Sequence, residues 1–205
     1  MATTRHTASD ARRAQVSEAV WLALTLTDDI ELRGLEPWQG EVFFAHIEAN
    51  RAHLDPWLSW IESIVDIPSA TAWLQRYADK QSRDEGRIFG IWRDTELLGS
   101  VLFRTFDTES GGCEISCWLG KGAEGKGLMT LAARRLMDWA FGVRGMTRVE
   151  WWTIPDNARS IAVAQRLGMT KEGVLRKSFA HNGVHYDAVV LAVLADEWHK
   201  INTFE

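Results

Sequence analysis

The chain is poor in cysteine, in clustered positive charge and in long apolar runs, and each shortage closes off a class of protein. No window approaches the ~20 apolar residues of a membrane-spanning helix, so no membrane role is expected. The segment from Met1-Ala2-Thr3-Thr4-Arg5-His6 to Arg13 has no apolar stretch adequate for a secretory leader, and Val20 to Leu26 is short and abuts Asp28-Asp29. A soluble, cytoplasmic protein is the expectation. No Lys/Arg run exceeds a pair such as Arg12-Arg13 or Arg134-Arg135 and the net charge is -5, which argues against nucleic acid and fits a basic partner or cationic substrate better. The two cysteines, Cys113 and Cys117, would lie on the order of 13 Å apart along one strand, beyond disulfide reach, so reduced, core-facing thiols are expected. No internal repeat or low-complexity tract divides the chain.

What is present is one domain's worth of core: 205 residues, 46% hydrophobic, with 11 tryptophans, some of which should line a cleft. Val16, Ala19, Val20, Ala23 and Leu24 recur at helical spacing behind Ser9, predicting an amphipathic helix over residues 9 to 24, within an N-terminal extension of residues 1 to 26. The domain proper then spans 27 to 205. A strand over 30 to 35 precedes a helix from Pro37 to Ala52, an aromatic knot of Trp57, Leu58, Trp60 and Ile61, and a helix opening at Pro68. Strands over 87 to 93, 97 to 106 and 113 to 119 form an antiparallel meander. A helix from Leu128 to Phe141 and a strand over 148 to 154 make a parallel crossover unit. A helix after Pro155-Asp156-Asn157 and two strands flanking Asn182-Gly183, a strong hairpin signal, complete the order β-α-α-β-β-β-α-β-α-β-β.

The most informative junction is the turn Gly122-Ala123-Glu124-Gly125-Lys126-Gly127, which feeds a strand into a helix. Such a turn aims the helix's unpaired N–H groups and its positive dipole end at one spot, which suits a phosphate. The spacing fits neither the P-loop nor the dinucleotide fingerprint.

Four motifs in order then carry a resemblance: Gly112 to Gly120, Glu124 to Thr130, Asn157-Ala-Arg-Ser160, and Leu167 to Gly173. Together with the Trp-rich segment Asn50 to Trp60, they resemble the GNAT family of acetyl-CoA-dependent N-acetyltransferases, in the branch that acetylates N-termini of ribosomal proteins. The resemblance covers about residues 27 to 200. It implies an α/β fold of mixed α+β type, with a mostly antiparallel central sheet splayed between its fourth and fifth strands and flanked by helices. It also implies acetyl-CoA as cosubstrate, with no metal, and self-association as a homodimer. The family's pyrophosphate loop reads Gln/Arg-x-x-Gly-x-Gly/Ala, against Glu124-Gly-Lys-Gly127-Leu-Met129 here. Backbone donors of Gly125 and Gly127 still serve, with Trp118, Leu119, Lys126 and Leu128 beside them. Glu124 must point away from the phosphates or weaken their binding, and Met129, facing the first helical turn, is larger than the family's residue and would narrow the approach.

Acetyl transfer to an amine needs a neutral amine, a polarised carbonyl and a proton for the departing thiolate. The resemblance makes Glu114 the base, Ser160 the acid and Asn157 a ligand of the pantetheine arm; the plain alternatives are a solvated strand glutamate, a first-turn serine and an N-cap. A backbone N–H of the 115 to 118 strand would hold the carbonyl oxygen. Trp151 and Trp152 must point to opposite faces; alternation does not say which lines the cleft, and Trp152 is assigned there with Trp57 and Trp60 as substrate-binding residues. His181 and His185 flank the hairpin turn without a third ligand, so no metal site is expected there. With an α-amino pKa of ~7.7 roughly one amine in six is neutral at pH 7, against roughly one in 2,500 for lysine at ~10.4, so a modest carboxylate base suits a protein or peptide N-terminus. A small amine (antibiotic, polyamine or aminoacyl-nucleotide) and a non-catalytic acyl-CoA-binding module are the alternatives.

Overall fold

The computed structural model describes residues 23–202. Most of the helix expected over residues 9 to 24 lies outside the described residues, but Ala23 and Leu24 belong to a strand, β1 (Ala23–Thr27). It pairs antiparallel with β2 (Ile30–Gly34), Leu24 opposite Leu32, and Leu26 enters the core. Helical spacing and the start of a strand are compatible here, and the free edge of β2 decides between them.

Helix α1 (Gly40–Leu54) follows a single 3-10 turn at Pro37–Gln39. Helix α2 (Ile67–Ser82) opens on a capping box in which Asp66 accepts from Ser69 N at 2.8 Å, with Pro68 in the first turn where its missing N–H costs nothing. Then come β3 (Arg87–Arg93), β4 (Glu96–Asp107) and β5 (Gly112–Leu119), the expected meander. Helix α3 (Leu128–Gly142) leads to β6 (Arg148–Thr153), and α4 (Ala158–Arg166) to the hairpin β7 (Thr170–His181) and β8 (Val184–Leu194). At its turn Asn182 and Gly183 both have positive φ, 48° and 72°, as a two-residue turn of this hand requires. A closing helix, α5 (Ala195–Asn202), was not expected from sequence; its Trp198 packs at 6.0 Å from Phe141 and donates to Asp138.

The strands form one eight-stranded sheet in the order β1-β2-β3-β4-β5-β6-β8-β7. Every neighbouring pair is antiparallel except β5 and β6. That parallel pairing runs only from Gly112↔Arg148 to Ile115↔Trp151, although β5 continues to Leu119 and β6 to Thr153. The two strands therefore part beyond Ile115, leaving an unpaired edge on β5 that faces a wedge-shaped opening.

Side-chain alternation loads both faces. Ile91, Val101, Phe103, Ile115, Val149 and Trp151 pack with α3 and α4, while Ile88, Trp92, Leu102 and Trp118 pack with α1 and α2. His46 of α1 is buried among the second group, and burial lowers its pKa from the ordinary 6.5 to about 4. The unfolded chain therefore binds the extra proton more readily between those values, so stability is full above pH 6.5 and falls as pH drops towards 4. The loss from this group is expected to reach ~3 kcal/mol at the acid end. Urea midpoints at pH 7 and pH 4.5 should lie closer together in His46→Leu than in the unaltered protein.

Candidate active site

The wedge between β5 and β6 is where the sequence-predicted residues collect, and they approach it from opposite faces of the sheet. From the α1/α2 side comes Glu114, only 7% exposed, whose Oε1 accepts from Arg104 Nε at 2.7 Å. Its Cα neighbour across the parallel pair is Glu150, which accepts from Arg148 Nε and from the Trp152 indole, both at 2.8 Å. Arg148 also reaches Glu172 on β7 at 2.8 Å. The face thus carries a row of carboxylates partly neutralised by guanidinium groups. Tyr77 of α2 lies near Glu114 and Arg104, its phenol pushed up to about 12 mainly by burial.

Trp152 is the solvent-facing member of the tandem pair, 37% exposed, while Trp151 is 2% exposed in the core. The Trp151 indole nevertheless reaches the site from the other face, donating to Ser160 Oγ at 2.8 Å. With its oxygen accepting from the indole, the Ser160 hydroxyl keeps its own hydrogen to donate. Asn157 is the N-cap of α4, its Oδ1 accepting from Ser160 N at 3.1 Å, so its amide nitrogen alone is left to turn outward.

The glycine turn behaves as its composition implies. Gly125 and Gly127 have φ of 78° and 74°, and a Cβ built at either would meet nothing within 4 Å. Glycine is required there by backbone conformation, and the space in front of the backbone is open. Gly127 caps α3 without any side-chain bond, so the first-turn N–H groups point into that space and can hold an anion. Lys126 is exposed beside them.

Several assigned side chains are not at the opening. Met129 (7% exposed) and Leu128 (3%) are buried in the core, so Met129 does not narrow the approach and both residues offer only backbone. Leu119 packs partly against the same core. The Trp118 and Trp60 side chains are packed into an aromatic cluster with Phe43 and Trp73, ring centroids 4.4 to 6.2 Å apart, Trp118 buried in the core and Trp60 half-buried against it. Trp57, half-buried in the turn after α1, stands outside that cluster. His181 and His185 do not oppose each other, since His185 pairs with Ala180 and His181 with Val184. His181 is buried, its Nδ1 3.1 Å from Glu62 Oε1, which ties the hairpin tip to the Trp-rich segment. Among the described residues no group of three His, Cys, Asp or Glu could hold a metal, and no helix is long and apolar enough to cross a membrane. Both cysteines are free thiols, pushed up to about 12 by burial.

Arg104, Glu150, Arg159 and His53 were missed by sequence reasoning. Arg104 carried a weak signal, being the one cation of its strand and following the apolar run Val101 to Phe103; the others are placed only by pairing between distant elements.

A mixed sheet that opens at its single parallel step, with an uncapped helix start beyond a glycine turn, defines an acyl-CoA-type acetyltransferase fold. Residues 29–170 match the family model described as acetyltransferase (GNAT) domain, and the chain belongs to that family. It is an acetyl-CoA-dependent N-acetyltransferase. A Bacillus subtilis protein named as a ribosomal N-acetyltransferase, YdaF, is 32% identical over 178 residues, covering 84% of this chain and 95% of its own length. The crystal structure of the microcin C7 self immunity acetyltransferase MccE with acetyl-CoA and AMP superposes with a TM-score of 0.80 at 26% identity, covering 87% of this chain and 99% of that one. RimL, the ribosomal L7/L12 alpha-N-protein acetyltransferase, in complex with coenzyme A, has the same fold, with a TM-score of 0.80 at 22% identity over 85% of this chain and 99% of that one.

Proposed function

We propose that this enzyme acetylates the N-terminal α-amino group of a protein, of which a ribosomal protein is the leading candidate. The observation that carries the reading is the pairing of Glu114 with Glu150 on the face that also presents Trp152, where β5 and β6 part. An acidic, aromatic wall of this kind attracts a cationic chain end and holds it beside a carboxylate base. The similarity to a protein named as a ribosomal N-acetyltransferase supports the same acceptor.

In this reading the backbone of Gly125, Gly127 and the α3 start holds the pyrophosphate, the unpaired β5 edge supplies a donor to the thioester oxygen, and Asn157 offers its amide to the pantetheine arm. Acetyl-CoA supplies an activated acyl group and a leaving thiolate. Glu114 takes the amine proton, directly or through a water, and the Ser160 hydroxyl, fixed by the Trp151 indole, gives a proton to the thiolate. The cycle closes when Glu114 gives the amine's proton up to solvent and Ser160 regains one from it, so no net proton is gained or lost by the enzyme.

A second reading, a small amine such as an aminoacyl-nucleotide, draws on the similarity to an immunity acetyltransferase crystallised with AMP. Release of free thiol from acetyl-CoA, measured across N-terminal peptides, polyamines, aminoglycosides and aminoacyl-nucleotides, separates the two. Peptides with basic residues near the N-terminus are expected to give the highest kcat/KM. A tenfold preference for any small amine would replace the first reading with the second.

A further inference from the structure

The glycine turn carries an anion of its own. Glu124, one residue before Gly125, accepts from Arg159 Nη1 through both carboxylate oxygens, at 2.9 and 2.7 Å, and its Oε1 lies 3.2 Å from His53 Nε2. Arg159 stands in the first turn of α4, between the Asn157 cap and Ser160, and His53 in the last turn of α1. Helices from both faces of the sheet thus converge on one carboxylate at the edge of the loop. The Arg159 side chain is 78% exposed, that of Glu124 31% and that of His53 19%.

A guanidinium and an imidazole gathered around a carboxylate are the groups that would gather around a phosphate. The geometry points to Glu124 as a built-in rival of the cosubstrate's pyrophosphate, and to Arg159 as the cation for which the two anions compete. This rests on the loop being the pyrophosphate site, as proposed above. An exposed ion pair is worth little, so Arg159 leaves Glu124 at small cost. A pyrophosphate offers more charge and a better match to the guanidinium fork. The carboxylate left behind stays near the phosphates and opposes them, an effect that salt screens. The loop therefore binds its cosubstrate less tightly than its backbone alone would allow, and Glu124, which looked like a defect in the motif, sets that affinity.

Isothermal titration of the full chain with coenzyme A and with dephospho-coenzyme A, which keeps the pyrophosphate, tests this without turnover. Glu124→Gln is expected to tighten both ligands by about 3- to 5-fold at low salt, the gain shrinking as salt is raised. Arg159→Ala is expected to weaken both by about tenfold in the Glu124→Gln background, and by less where Glu124 still competes. Unchanged or weaker binding in Glu124→Gln overturns the rivalry, as does an effect confined to coenzyme A, which would assign Arg159 to the 3′-phosphate. Gly125→Ala, with its folding checked by thermal melting, keeps the two ideas apart. If it leaves affinity unchanged the loop itself is not the site, and if it weakens binding while Glu124→Gln does nothing, only the rivalry fails.

Discussion

Glu114→Gln is expected to lower kcat for amine acetylation by about 10²-fold or more, the range for loss of a positioned general base. The substitution keeps the shape of the side chain and an oxygen for Arg104 Nε, now 2.7 Å from the carboxylate, but removes the lone pair that accepts the amine proton. Coenzyme A affinity, read by calorimetry, should be unchanged because the Glu114 carboxylate is held by Arg104 of β4 and not by any residue of the glycine turn. Glu150→Gln is the discriminating companion. Glu150 sits opposite Glu114 in the parallel register, but its carboxylate is already shared between Arg148 and the Trp152 indole. It is expected to raise KM for a cationic peptide with a small change in kcat. If the kcat loss falls on Glu150→Gln and spares Glu114→Gln, the base has been misassigned by one strand.

Trp118→Ala is the second large effect, a loss of about 3–5 kcal/mol of stability by urea denaturation. Trp118 is 4% exposed and its ring lies 5.0 Å from Trp60, 6.0 Å from Trp73 and 6.2 Å from Phe43, so truncation opens a cavity between the sheet and both N-terminal helices. Its Nε1 is buried with no acceptor. Trp118→Phe should therefore cost less than volume alone suggests, about 1–2 kcal/mol, because a buried donor that makes no bond is removed along with the lost carbon. Equal losses in the two variants would show that the indole nitrogen is satisfied in solution. Trp118 lies on the stretch of β5 beyond its last pair with β6, so its packing also fixes one wall of the wedge.

The candidate site was only partly legible in the sequence, and the reason differs from residue to residue. Gly125 and Gly127 were readable because a positive φ before a helix demands glycine, whatever surrounds it. Glu114 was reached through the family resemblance, whereas its pairing with Arg104 was not legible, since β4 and β5 meet across a register shift between Phe103 and Thr105. Trp118 and Trp60 were assigned to the cofactor and substrate sites; the Trp118 side chain is buried in the aromatic cluster and Trp60 is half-buried against it. An aromatic side chain has the same sequence signature at a binding surface and in a packed cluster, and only the arrival of α1 and α2 over that face separates the two. Trp152, on the same face as Glu150, stays 37% exposed.

By itself, the sequence determined the period-2 and helical runs, the helix opening at Pro68, the cap at Asn157, the Asn182-Gly183 hairpin and the glycine turn, all of them set by interactions within a few residues. Tertiary structure decided whether Ala23 and Leu24 were helix or strand, which tryptophans were buried, and where Glu124 turned its carboxylate. Those outcomes depend on β2's open edge, on two helices closing over one face, and on His53 and Arg159 arriving from opposite faces of the sheet. A side chain's partners in such places come from remote parts of the chain. Local spacing therefore leaves the aim of Glu114, Glu124 and Ser160 open until the sheet is assembled.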